Sequence, residues 1–152
     1  DLHPVKSVDE VVINAAKYPA KAVVITGGEP SMYNLDYLTS QFIAHGIRLY
    51  IETSGAYHLT GDWHWICLSP KKTAPPKAEV YDKAHELKVI VHNLSDLKWA
   101  EEHATIVNSN CRLFLQPEWS KREEIMPIIV DYVMHNPKWN ISLQTHKYLK
   151  IP

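Results

Sequence analysis

"AVVITGGEPSMYN", residues 22–34, runs four apolar residues straight into a threonine, two glycines, an acid and a proline. Ala22 to Ile25 has the length and branching of a buried strand. A tight turn would account for the glycines that follow. So would a ligand, because Gly27 and Gly28 let a small polar molecule reach main-chain donors and acceptors, with the Glu29 carboxylate beside them.

The same pattern recurs along the chain. Further short apolar runs lie at 49–51 (LYI), 65–68 (WICL), 87–91 (LKVIV), 112–115 (RLFL) and 141–143 (ISL). Helix-like segments separate them. Ser7 to Tyr18 opens with Ser7 and Glu10 at capping-box spacing. Asn34 can cap a second helix, with Leu35, Leu38 and Phe42 on one face and Gly46 as its stop. Ser95 to His103 forms a third. Ser120 to His135 forms a fourth, with Ser120 and Glu123 as a capping pair and Met126, Ile129, Val130 and Val133 as its apolar stripe. Pro127 predicts a late start or a bend there. Residues 70–82 carry three prolines and read as a loop. Alternating strands and helices predict an α/β fold, a curved sheet or partial (β/α) barrel, mostly parallel, with the helices outside. The 60–64 link looks too short for a helical crossover and counts against parallel pairing at that point.

Composition narrows the classes. A chain of 152 residues suits one domain, and 45% apolar with 22% charged residues suits a globular one. A net charge of −1 gives no broad electrostatic surface for nucleic acid. No apolar run approaches a membrane span and no signal peptide is visible, so the expected compartment is the cytoplasm. Two cysteines, Cys67 and Cys111, make no disulfide framework.

The residues after each run carry the chemistry. They are Thr26 to Glu29, then Glu52, Thr53 and Ser54, then Ser69, Pro70 and Lys71, then His92 and Asn93, then Gln116, and finally Gln144 to Lys147. In parallel α/β folds the carboxyl ends of the strands share one edge, where ligands bind. Glu29 can attract an ammonium group, and no Lys-Ser/Thr pair follows to make a phosphate cradle. Glu52 can accept from both hydroxyls of a ribose, and Lys71 can pair with a carboxylate. An amine, a ribose and a carboxylate together describe an amino-acid nucleoside. Lys88 sits inside the fourth run, either turned into a barrel against an anion or facing water from an edge strand. His64 and His92 read as surface or loop histidines.

In this order the motifs resemble the radical S-adenosylmethionine (SAM) superfamily. TGGEP (26–30) looks like its glycine-rich segment for the SAM amino group, and ETSG (52–55) like its ribose segment. SPK (69–71), LKVIV, LQP (115–117) and the tail SLQTHKYLKIP (142–152) narrow the resemblance to the 7-carboxy-7-deazaguanine synthase family. It runs from about residue 8 to the end and implies the partial barrel of the radical SAM type.

The resemblance implies a lyase of queuosine biosynthesis. In that family a reduced [4Fe–4S] cluster splits SAM. The resulting radical takes hydrogen from 6-carboxy-5,6,7,8-tetrahydropterin, which contracts with loss of ammonia to 7-carboxy-7-deazaguanine. The implied cofactors are SAM, the cluster and Mg2+, and the implied partners are a second copy of the chain and an electron donor such as flavodoxin. Carried over by position, Gly27, Gly28 and Glu29 hold the SAM amino end. Glu52 and Ser54 contact the ribose, Ser69 and Lys71 the ribose or carboxylate end, and Gln116 the adenosine. Gln144, His146 and the Pro152 carboxylate fall to the pterin, whose donor-rich nitrogens suit an acceptor.

One departure is large. The family's C-x3-C-x2-C loop has no counterpart here, and Cys67 and Cys111, each in a strand-like run, cannot replace it. The expectation is therefore a C-terminal portion of such an enzyme, residues 1–152 forming one domain, inactive without the cluster loop. Two alternatives share part of the pattern: another radical SAM enzyme, such as an activase of glycyl-radical enzymes, and a SAM-binding relative without catalysis.

Overall fold

In the computed structural model, which describes residues 4–151, six strands form one sheet in the order β1 to β6. They are β1 (Ala22–Ile25), β2 (Arg48–Thr53), β3 (Trp65–Leu68), β4 (Glu86–Val91), β5 (Arg112–Pro117) and β6 (Trp139–Ile141). Every neighbouring pair is parallel. Five of the six apolar runs are strands, some longer than the run that marked them, whereas β6 lies mostly ahead of the 141–143 run and shares only Ile141 with it.

The helices are α1 (Val8–Ala16), α2 (Asp36–Ala44), α3 (Ala78–Lys83), α4 (Ser95–Ala104), α5 (Arg122–His135) and α6 (Thr145–Tyr148). Ser7 and Glu10 do close a capping box on α1. Ahead of α2, the Asn34 side chain accepts from the Asp36 amide at 2.9 Å, so it turns the chain, while Leu35 takes the cap position. Gly46 follows the α2 C-cap at φ +69°, a conformation other residues resist.

Three local expectations fail for identifiable reasons. Residues 70–82 are not all loop, because Val80 and Tyr81 give α3 an apolar side that buries itself. Ser120 does not cap α5: its hydroxyl goes to Glu118, a short 3-10 turn (Trp119–Lys121) intervenes, and Lys121 takes the cap position. The buried residues of α5 are Ile125 and Ile129, whereas Val130 is exposed. The helix starts before Pro127 and runs through it on the solvent side, where the carbonyl left unbonded can turn to water.

The link between β2 and β3 is also informative. Residues 54–64 form no helix, yet the two strands are parallel, with Tyr50 opposite Trp65 and Ile51 opposite Ile66. The loop is fastened to α2 instead. Thr60 Oγ1 accepts from the Leu35 amide at 2.9 Å, the Asp36 carboxylate from the Gly61 amide at 2.7 Å, and Leu59 is buried. With the Asp62 amide donating to Thr39 Oγ1, the link's Gly61 and Asp62 amides are paired without secondary structure of their own.

The two faces of the sheet differ. Ile51, Leu68, Leu87, Val89, Val91 and Leu115 point to the helices and are buried. A second cluster, Val12, Phe42, Ile47 and Leu49, joins α1 and α2 to β1 and β2. The alternate residues face away from the helices. Parallel register lines up Glu52, Cys67, Glu86 and Arg112 across this open face, then Lys88 with Phe114, and Ile90 with Gln116. One cavity of about 330 Å³ is lined both by Thr26, after β1, and by Ser142 and His146, after β6. A flat sheet would hold those ends roughly 24 Å apart, at about 4.8 Å per strand. The sheet therefore curls toward its open face, as a partial barrel does.

Candidate functional site

All the strands being parallel, their carboxyl ends meet at one edge. The residues predicted there divide into two groups.

The first group lies after β1 and β2. Gly27 and Gly28 adopt φ of +89° and +49°, with nothing within 4 Å of the place a Cβ would take. Their backbone is bare, and the open space beside it is available to a ligand. Glu29 is instead committed to the protein. One carboxylate oxygen accepts from the Ser31 amide (3.1 Å), the Ser31 hydroxyl (2.7 Å) and the Thr53 hydroxyl (2.5 Å). The other accepts from the Ser54 amide (2.7 Å) and the Ser54 hydroxyl. Burial pushes the Glu29 pKa up, but these hydrogen bonds outweigh it and hold it at about 2. Glu29 thus ties the glycine loop to the end of β2, and Ser54 with it. Just beyond, Gly55 (φ +76°) sits so close to Leu68 that a Cβ would come within 2.7 Å of it.

The second group lines the cavities. Glu52, Ser69, Lys71, Gln116 and Gln144 surround one of about 250 Å³. The neighbouring 330 Å³ cavity takes Glu52, Gln116, Gln144 and His146 and adds Thr26, Glu86, Lys88 and Ser142. Lys88 turns inward, and its ammonium lies 2.6 Å from Glu52 with only 12% of the side chain exposed. The strand is central, so the water-facing alternative fails. Gln116 is buried and accepts from the Ser142 hydroxyl at 3.0 Å. Lys71 reaches back to the buried Ser69 hydroxyl at 3.4 Å. Gln144 Oε1 is buried with no hydrogen-bond partner among the described residues. A buried acceptor without a donor is costly, and here it borders an open cavity. His146 is exposed on α6, and Pro152 lies outside the described residues.

Sequence reasoning missed Glu86. It occupies the open face two residues before Lys88, where strand alternation could have found it. Its carboxylate accepts from Trp65 Nε1 at 3.0 Å and from the Cys67 thiol at 3.3 Å. His64 is an exposed loop residue, as expected, and its ring accepts from the Leu49 amide at 3.1 Å. His92 lies 3.9 Å from Glu118.

The residues do not fit an iron–sulfur cluster. Cys67 faces the open side, while Cys111, one residue before β5, packs on the helix side. Burial raises both thiols, Cys111 to about 11, which opposes the thiolate form that iron needs. Among the described residues no three His, Cys, Asp or Glu side chains converge to hold a metal ion. No helix among them is long and apolar enough to cross a membrane. A larger cavity, about 750 Å³, opens at the opposite edge beside Trp65, His85 and Arg112. It holds none of the predicted residues and lies at the end of the strands that parallel folds do not use for ligands.

Known proteins share both the sequence and the fold. The chain is 58% identical over 151 residues to the 7-carboxy-7-deazaguanine synthase of Flavobacterium psychrophilum, covering 99% of this chain and 71% of that one. It is 44% identical to the protein of the same name from Synechocystis, covering 98% and 71%. Among solved structures it resembles QueE from Escherichia coli with a TM-score of 0.81 and 26% identity, over 91% of this chain and 64% of that one. No family model matches.

Proposed function

The chain belongs to the 7-carboxy-7-deazaguanine synthase family of radical SAM enzymes, and from that membership we propose what its sheet edge does. It binds SAM beside a pterin and serves the conversion of 6-carboxy-5,6,7,8-tetrahydropterin to 7-carboxy-7-deazaguanine. The observation that carries this is the orphaned Gln144 acceptor, buried at a cavity that also meets Glu52 and Gln116.

The bare backbone of Gly27 and Gly28 receives the SAM amino group, and Glu29 fixes that loop while contributing its charge from behind. Glu52 and Ser54 take the ribose, Ser69 and Lys71 the ribose or carboxylate end, and Gln116 the adenosine. Gln144 and His146 orient the pterin, together with the Pro152 carboxylate. SAM, once reductively cleaved, supplies the group that abstracts hydrogen.

On this reading the chain is the C-terminal portion of the barrel, in keeping with its 71% share of the two relatives. The cluster's thiolates then belong outside it, and no step here runs through the cluster. Magnesium at the substrate carboxylate, a homodimer, and an electron donor such as flavodoxin complete the proposal. The described side chains offer magnesium no ready set of ligands.

Titration calorimetry with SAM and with 6-carboxypterin, magnesium present, tests the reading on the full-length gene product. Pterin binding that weakens at least tenfold in His146→Ala supports it. Binding of SAM without the pterin favours a different radical SAM activity.

A further inference from the structure

We propose that Glu86 is a specificity-determining residue that reads the 2-amino-4-oxopyrimidine edge of the substrate. The inference rests on the pterin reading above and extends it to a residue on the sheet's open face.

Glu86 lines the same 330 Å³ cavity as Gln116, Ser142, Gln144 and His146. Two neutral donors from β3 hold it, Trp65 Nε1 at 3.0 Å and the Cys67 thiol at 3.3 Å. These aim the carboxylate but leave acceptor capacity on both oxygens. Among the described residues no cation pairs with it, whereas the Lys88 ammonium beside it is taken by Glu52. The cavity wall therefore carries two carboxylates against one ammonium, so its complement is a ligand edge rich in donors.

A second, independent observation agrees. Gln144 Oε1, on the same cavity, is buried without a partner among the described residues and also calls for a donor. A 2-amino-4-oxopyrimidine offers two adjacent N–H groups, the ring N3–H and the exocyclic amine. A carboxylate can accept both at once, as it does from the fork of an arginine.

This arrangement rejects a ring with oxygen in place of the 2-amino group. Such a ring would set a carbonyl against the Glu86 carboxylate and leave a buried acceptor unpaired. The experiment compares 6-carboxypterin with 6-carboxylumazine, its 2-oxo analogue, by titration calorimetry on the full-length gene product. Wild-type protein is expected to prefer the pterin by at least tenfold. Glu86→Gln can turn its amide toward the 2-oxo group, so its preference is expected to fall below threefold. Circular dichroism checks the fold of the variant. Should it not fold, Glu86→Asp withdraws the carboxylate by about one C–C bond, some 1.5 Å, and is expected to lose the preference as well. A folded variant that keeps the wild-type preference overturns the role of Glu86 alone, as does a wild type that binds both rings equally. A wild type that binds neither overturns the pterin reading together with it.

Discussion

Leu87 and Lys88 are neighbours in β4, and they belong to different worlds. Leu87 is fully buried against the helices, among Leu68, Val89 and Leu115. Lys88 faces the open side, paired with Glu52 at the mouth of a cavity. One pleat separates them. The same six strands thus store stability on one face and chemistry on the other, and substitutions on the two faces should fail differently.

The largest effect belongs to the closed face. Leu87→Ala should cost about 2–5 kcal/mol of stability, read by urea denaturation, while the variant that remains folded binds ligand normally. A loss of affinity with unchanged stability would break the contrast. Next come the glycines. Gly55→Ala combines a left-handed backbone with a Cβ 2.7 Å from Leu68 Cδ1. It should lose about 2–4 kcal/mol, more than Gly28→Ala, which meets open space and pays only the backbone cost of about 1–2 kcal/mol. Equal losses at both sites would mean that the crowding at Gly55 relaxes freely.

On the open face, Lys88→Met removes one partner of a pair that is only partly shielded. About 1 kcal/mol of stability should go, with a larger proportional loss in SAM affinity. Glu29 links the two kinds of behaviour through pH. Its pKa is depressed from 4.5 to about 2. Its contribution to stability is therefore complete above pH 4.5 and fades as pH falls toward 2. Thermal melting across that window should flatten in Glu29→Gln, and a curve unchanged from wild type would contradict the hydrogen-bond inventory. The smallest effect lies far from both faces. Ser7→Ala, which opens the α1 capping box, should cost about 1 kcal/mol in the same denaturation assay.

The fold was largely legible because buried parallel strands are short apolar runs: five of the six runs are strands and the sixth, at 141–143, touches β6 at Ile141. What escaped depended on tertiary contact. The β2–β3 link gave no helical signal, since its Gly61 and Asp62 amides are paired by the Asp36 and Thr39 side chains of α2, while its Thr60 hydroxyl accepts from the Leu35 amide in return. Ser120 and Glu123 had capping spacing, but Glu118 claims the serine hydroxyl first. The site was legible by residue type and less so by role. Glu29 was identified as a ligand group by its place beside two glycines. Only its five donors show that its carboxylate is occupied within the protein. Glu86 was missed because it opens its strand, and the polar ends of the other strands drew the reading to their carboxyl termini.

The central claim is that ligands occupy the carboxyl-end edge of this sheet and not the larger cavity opposite. Hydrogen–deuterium exchange of the full-length gene product, with and without SAM and 6-carboxypterin, tests it most directly. Protection should gather at residues 26–29, 52–54, 69–71, 116–117 and 142–146. Protection confined to residues 82–85 and 108–112, around the cavity beside Trp65 and Arg112, would contradict it.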